Sequence, residues 1–333
     1  MATLASNTVT LADYSKRVDC DGNYLPIVEL LNQTNDLTPQ VPWMQCNDGH
    51  EHRTLLRTSL PTVSFIQPGA GFPVSASDAT PIVETCSIIG TAMEVDALTA
   101  KAYGDEASLI AGEAVASVES MNQKFIDTWF YGSRATDKLQ FDGLATRYAS
   151  TSATNAGENV LLGGGASNDN TSMYIMTLGE STLHGIVPKG LPMGLQMTKE
   201  NGGQEVVRKL SSGNVQPVYS TRFEWHVGMA LRDWRSVVRI ANIDTSNLLG
   251  NSTPADIYSL LIKAYYRIVP VMNRGKTVIV CNRGVMQGLD IQSREDAAYR
   301  LDYSNMDGKM VTSFRGIPFV VTDALRKTEA TIS

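Results

Sequence analysis

Residues 58–100 contain no Lys and no Arg, and their only acids are Asp78, Glu84, Glu94 and Asp96. Within that stretch Val63, Phe65, Ile66, Phe72, Val74, Ile82, Val83, Ile88 and Ile89 are interleaved with Ser, Thr, Gly and Pro. Branched and aromatic residues broken up by turn formers predict strands rather than helix. Two β-type runs, 55–66 and 81–95, flank a Gly/Pro/Ser centre at 67–78, and together predict a long hairpin with a broad tip. A two-stranded ribbon is marginal alone in water, and an apolar edge without charge invites pairing with another chain. Burial against its own domain and burial against a second molecule would leave the same pattern, so the residues alone keep both open.

The 333 residues, 43% apolar and 19% charged, suffice for one large domain or two modest ones with a real core. Apolar runs such as 277–281 and 318–321 are strand-sized, far short of the roughly 20 residues of a membrane helix. Residues 1–10 have neither a basic start nor an apolar stretch, so no secretory signal is expected. Cys20, Cys46, Cys86 and Cys281 are scattered without CxxC spacing, which predicts reduced thiols rather than a disulfide framework. A formal charge of -6 argues against a tight grip on phosphates. It leaves room for a wall that merely encloses DNA.

Periodicity outlines the rest. Asp19, Asp21 and Gly22 supply turn chemistry, 25–32 carries a brief helical stripe, and Pro39 with Pro42 predicts an extended path over 37–43. Residues 104–130 read as one long helix: Ala107, Ile110, Ala114, Val118, Met121, Phe125 and Trp129 recur at three-to-four spacing. At 1.5 Å per residue it would be a spine about 40 Å long. A loop-rich region, 132–170, follows. Residues 172–178 predict a strand, and Phe223, Trp225, Val227, Met229 and Leu231 alternate with period two. Thr253 as N-cap and Pro254 at the first position predict a helix running to Arg267. Strands at 277–281 and 317–322 and a helix at 285–292 complete an α+β chain.

Motifs for chemistry are fragmentary. Gly275-Lys276-Thr277 resembles the end of a phosphate loop, but Pro270 occupies the position of its first Gly and strand residues follow. Gly163 and Gly165 lack the third Gly of a dinucleotide fingerprint, Asn168 standing in its place. Asp19, Asp21 and Asn23 begin like a calcium loop, yet Tyr24 and Leu30 replace its Gly and its last carboxylate. Cys46, His50 and His52 form the densest metal-type cluster, without an evident fourth ligand, and read better as a polar loop before the hairpin. His184 and His226 fall on predicted strands, where a structural histidine is the default. Arg232, Asp233 and Arg235 beside Trp234 predict a salt-bridged turn. No catalytic, cofactor or metal site is assigned. The alternative kept is a soluble hydrolase-like enzyme using His184 or His226.

A set of blocks then narrows the choice. They are Leu11-Ala-Asp-Tyr-Ser-Lys-Arg, Ile27-Val-Glu-Leu-Leu-Asn-Gln-Thr-Asn ahead of Trp43, Arg53-Thr-Leu-Leu-Arg-Thr-Ser-Leu-Pro, and Phe141-Asp-Gly-Leu. Thr177-Leu-Gly-Glu-Ser-Thr, Phe223-Glu-Trp-His-Val-Gly with Leu231-Arg-Asp-Trp, Arg239-Ile-Ala-Asn-Ile-Asp and Gly316-Ile-Pro continue the series. In order and joint coverage they resemble the major capsid proteins of tailed double-stranded-DNA bacteriophages, in particular a short-tailed group that includes the Bordetella phage type.

That resemblance implies the Hong Kong 97-like capsid fold, with segment order rearranged in this group. It implies an N-terminal arm (1–52), an extended hairpin loop (53–95), a peripheral domain with the spine helix (96–170) and an axial domain with returning peripheral strands (171–333). It also tips the hairpin toward a neighbouring subunit, with Trp43, Val63, Phe65, Ile66, Phe72, Val74 and Ile82 as candidate inter-subunit contacts. The expected function is a structural shell protein assembling as pentamers and hexamers around the genome in the host cytoplasm, with a phage tail or decoration protein as a further alternative. Implied partners are a portal, a separate scaffolding protein and possible cementing or decoration proteins, with no membrane. The hairpin has no Lys, so the Lys–Asn isopeptide weld of some relatives is not expected.

Overall fold

The computed structural model describes residues 37–102, 106–152, 155–166, 168–209, 214–250, 255–295, 302–306 and 309–333. The turn at Asp19 to Gly22, the calcium-like run and the 25–32 stripe lie outside them, as do Cys20, Thr253 and Pro254. In chain order the strands are β1 (Trp43–Gln45), β2 (Glu51–Ser59), β3 (Asp78–Thr85), β4 (Ser87–Asp96), β5 (Val160–Leu162), β6 (Asn170–Leu178) and β7 (Leu183–Val187). They continue as β8 (Gln196–Lys199), β9 (Val206–Lys209), β10 (Val215–Leu231), β11 (Val237–Asp244), β12 (Lys276–Cys281), β13 (Asp302–Met306), β14 (Lys309–Phe314) and β15 (Ile317–Val321). The helices are α1 (Ala97–Ala102), α2 (Glu106–Tyr131), α3 (Leu144–Arg147), α4 (Thr245–Gly250), α5 (Ile257–Met272) and α6 (Arg283–Glu295).

Strand β6 is the centre of the main sheet, and all nine of its residues are buried. Its alternate faces feed two apolar clusters. Tyr174, Met176 and Leu178 join Phe125, Trp129 and Phe130 of α2 on one side. Met173 and Ile175 join Ile257, Leu261 and Ile268 of α5 and Val285 and Leu289 of α6 on the other. Helices on both faces of one sheet explain why β6 shows no alternation in sequence. Burying both sides removes the polar face that would have marked it.

Strand β10 ties this centre to the periphery. Its last residues, Gly228 to Leu231, pair with β7, while Val218 to Val227 pair antiparallel with β4. Its other edge takes β8 and β9. With 17 residues it spans about 56 Å. The expected alternation holds from Phe223 to Val227 and then gives way to burial on both faces.

Four expectations need correction. The run 37–43 holds a 3-10 turn at Thr38–Gln40 before β1, because Pro39 fits the first positions of such a turn. Helix α5 is capped by Asp256, whose side chain accepts from the Ser259 amide, and it continues beyond Arg267 to Met272 with Pro270 in its last turn. The predicted hairpin arm 81–95 is two strands split at Cys86, β3 pairing with β2 and β4 with β10. The spine stripe is buried only in its second half: Met121, Phe125 and Trp129 are enclosed, but Ala107 and Val118 are exposed. The helix is 26 residues, about 39 Å, and its first half reaches the same cluster through buried Leu109, with Ile110 and Ala114 packed partly buried against it.

Candidate interaction surface

Strands β2 and β3 form a separate two-stranded ribbon with no strand partner on either edge among the described residues. Its ladder runs from Glu51↔Thr85 to Ser59↔Asp78. Beyond that point the loop is closed by the Ala70 amide donating to Gln67 O and by Ser75 Oγ donating to Thr62 O. Every residue from 57 to 81 is exposed. Phe65 and Val74 are fully exposed, and Val63 and Phe72 retain 91% and 87% of their free surface. A ribbon this thin has no core of its own, so these exposed apolar side chains form a candidate interaction surface.

The two faces of the ribbon differ. His52 and Glu84, cross-strand partners, point inward and are buried, with Thr54, Leu56 and Ile82 half-buried on the same face. Leu55 and Val83 occupy the outer face and are exposed. Of the expected contact residues, Val63, Phe65, Ile66, Phe72 and Val74 therefore cluster toward the tip. Ile82 lies on the inward face. Trp43 is elsewhere: its indole packs at 5.7 Å from Phe125 and 5.8 Å from Trp225, against Gly185. It anchors β1 inside its own subunit, an apolar role that sequence cannot tell from an interface role.

Three contacts fix the root of the ribbon. Glu84 accepts two hydrogen bonds from Arg147 of α3, both 2.6 Å. His52 meets Arg232 Nη2 at 2.8 Å and stands edge-on to His184, ring centroids 5.6 Å apart. Cys46, just after β1, places its sulfur 3.3 Å from that of Cys86 at the β3–β4 junction. Burial, then Arg232 and His52, push the His184 pKa down to about 4. Both neighbours oppose a second positive charge.

These positions account for the chemical motifs. Cys46 and His52 of the metal-type cluster point to Cys86 and Arg232. Among the described residues no three His, Cys, Asp or Glu are grouped to hold a metal. Asp233 accepts from Arg235 at 2.9 Å and Arg274 at 3.0 Å, so the expected salt-bridged turn forms with Arg274 in place of Arg232, which turns to His52. Gly275 leads into β12 and packs against Leu178 of β6, not onto a helix N-terminus. His226 sits mid-strand on β10 opposite Ile88. The ion pair of Glu84 with Arg147 and the thiol pair carried no sequence signal, since their members lie 63 and 40 positions apart.

Comparison with known proteins agrees with this geometry. The family model of the major capsid protein GP7 matches residues 19–333. A chain in the near-atomic structure of bacteriophage Epsilon15 is 28% identical, with a TM-score of 0.75 over 100% of this chain and 99% of that one. The SrpI encapsulin complex of Synechococcus elongatus (11% identity, TM-score 0.45, 72% of this chain and 96% of that one) also matches. So does the capsid of a native GTA particle (10%, 0.44, 72% and 99%). No curated protein sequence matches. The α+β architecture is the Hong Kong 97-like capsid fold, and the chain belongs to the major capsid protein GP7 family, structural proteins of the phage shell.

Proposed function

We propose that the chain builds pentamers and hexamers of an icosahedral shell around packaged double-stranded DNA, through exchange of the β2–β3 ribbon between subunits. One observation carries this reading: the apolar tip residues Val63, Phe65, Phe72 and Val74 have no cover among the described residues of their own subunit. Family membership supplies the shell, and the exposed tip supplies the means of joining copies. Many modest contacts repeated around closed rings give avidity that no single interface needs to provide.

The contact role falls to the ribbon tip, with Ile66 beside it, and not to Trp43. We propose no catalytic role. His184 is held neutral between Arg232 and His52, an arrangement suited to a structural contact rather than a general base near neutral pH. A portal, a scaffolding protein and a cementing protein over the ribbon tips complete the proposed assembly, which would take place in the bacterial cytoplasm. The negative net charge fits a wall that encloses DNA without reading it.

The experiment is to produce the protein with candidate scaffolding genes and examine it by electron microscopy and sedimentation. Closed shells support the reading. Tubes, rings or trimers would reassign the chain to another particle component, and monomers under every condition would refute self-assembly.

A further inference from the structure

The geometry points to Cys46 and Cys86 as a latent disulfide that locks the root of the ribbon: open as two thiols in a reducing medium, closed by a small-molecule disulfide in an oxidising one. The inference concerns the single chain and goes beyond the assembly reading.

Four observations carry it. The two sulfurs are 3.3 Å apart, in direct contact. Each backbone is pinned by a different element: the Cys46 amide donates to Val187 O at 2.8 Å, and the Cys86 amide donates to His50 O at 3.0 Å. The fold therefore fixes both backbones where the sulfurs meet. Their surroundings, Ile186 and Ala230, are apolar and, among the described residues, offer neither thiol another partner. Finally, the residues between them, 47–85, are the entire ribbon, so one bond would make the ribbon a covalent loop anchored to β1 and β4 at its base. Cys281 provides an internal contrast. It is fully enclosed in β12, where burial alone raises its pKa, whereas Cys46 and Cys86 have each other's sulfur in contact.

The exchange balances without any other reactant. Cys46, whose pKa the hydrogen bond with Cys86 lowers, attacks as the thiolate on a sulfur of glutathione disulfide and expels one glutathione thiolate. Cys86 then gives its proton to that glutathione thiolate, attacks the Cys46 sulfur of the mixed disulfide and expels the other glutathione. The protein loses two hydrogens and two electrons, and glutathione disulfide becomes two glutathione molecules.

The test uses the full chain, purified reduced and then equilibrated with glutathione disulfide, followed by alkylation and non-reducing peptide mapping. The expected result is a Cys46–Cys86 linked peptide within one chain and Cys281 alkylated only after unfolding. Oxidation should also raise the thermal midpoint by about 5 °C, reversed by dithiothreitol and absent in Cys86→Ser. Full alkylation of both thiols after oxidation, a persistent glutathione adduct on either, or a bond between two chains would overturn it. Mapping of the native sequence decides the matter even if the variant fails to fold. Because the bond is read in the isolated chain, its failure leaves the assembly reading untouched.

Discussion

Glu84 of the ribbon and Arg147 of α3 meet in a two-pronged ion pair, both contacts 2.6 Å, with side chains only 11% and 18% exposed. Desolvation alone would lower the Arg147 pKa, but the hydrogen bonds and charge of Glu84 reverse it to a net rise. The pair joins the two-stranded ribbon to α3 in the body of the subunit. A fork-to-fork geometry fixes direction as well as distance.

Removing one partner should therefore cost more than removing both. Glu84→Gln leaves Arg147 enclosed and unpaired, with a loss of about 3 kcal/mol expected. Glu84→Gln with Arg147→Met should recover part of it. Hydrogen exchange of the β2 and β3 amides and denaturant unfolding check this. Additive losses in the double variant would show that the two residues do not act as a pair.

The ribbon tip should separate folding from assembly. Phe65→Asp with Val74→Asp alters fully exposed side chains, so chain stability should change by no more than about 0.5 kcal/mol. Particle yield, by sedimentation, should fall at least tenfold. Normal yield would place the interface elsewhere.

Acid should loosen the root through His184. Its ordinary value of 6.5 falls to about 4 in the fold, first through burial and then through Arg232 and His52. The neutral ring is the folded form, so its contribution is complete above pH 6.5. As pH falls from 6.5 toward 4 the unfolded chain takes up the proton first, and about 3 kcal/mol drains away. His52 is lowered by burial and Arg232, with the same sign. Asp96 and Asp233, held below their ordinary 3.8, lose their contributions in a lower window, as pH falls through and below that value. Denaturant unfolding between pH 7 and 4 should show a clearly flatter slope for His184→Gln. An unchanged slope would remove His184 from the account.

Trp43 should behave as a core anchor. A Cβ added at Gly185 would stand 2.5 Å from the Trp43 ring, inside van der Waals contact. Gly185→Ala should cost about 2 kcal/mol by forcing the indole away from Phe125 and Trp225. Trp43→Leu in the same chain should restore part of that by making room. Thermal unfolding of the isolated chain reports both, and equal losses with and without Trp43 would show that the clash lies elsewhere.

Local physics was legible in the residues. The spine helix and the alternation of β10 up to Val227 follow from periodicities that a helix or strand imposes on a half-buried element, and β12 from a short continuous apolar run. The uncharged composition of residues 58–100 marked the ribbon, because apolar residues without charge must be covered by something. Ordered blocks along the chain marked the family. What sequence did not contain is which surfaces meet. The split of one β-run at Cys86 between two sheets, the inward turn of Trp43 and Ile82, and the pairing of Glu84 with Arg147 all depend on segments far apart in the chain. A strand's pattern records only that a face is covered. Three-dimensional packing decides what covers it, and so separates the ribbon's anchored root from its uncovered tip.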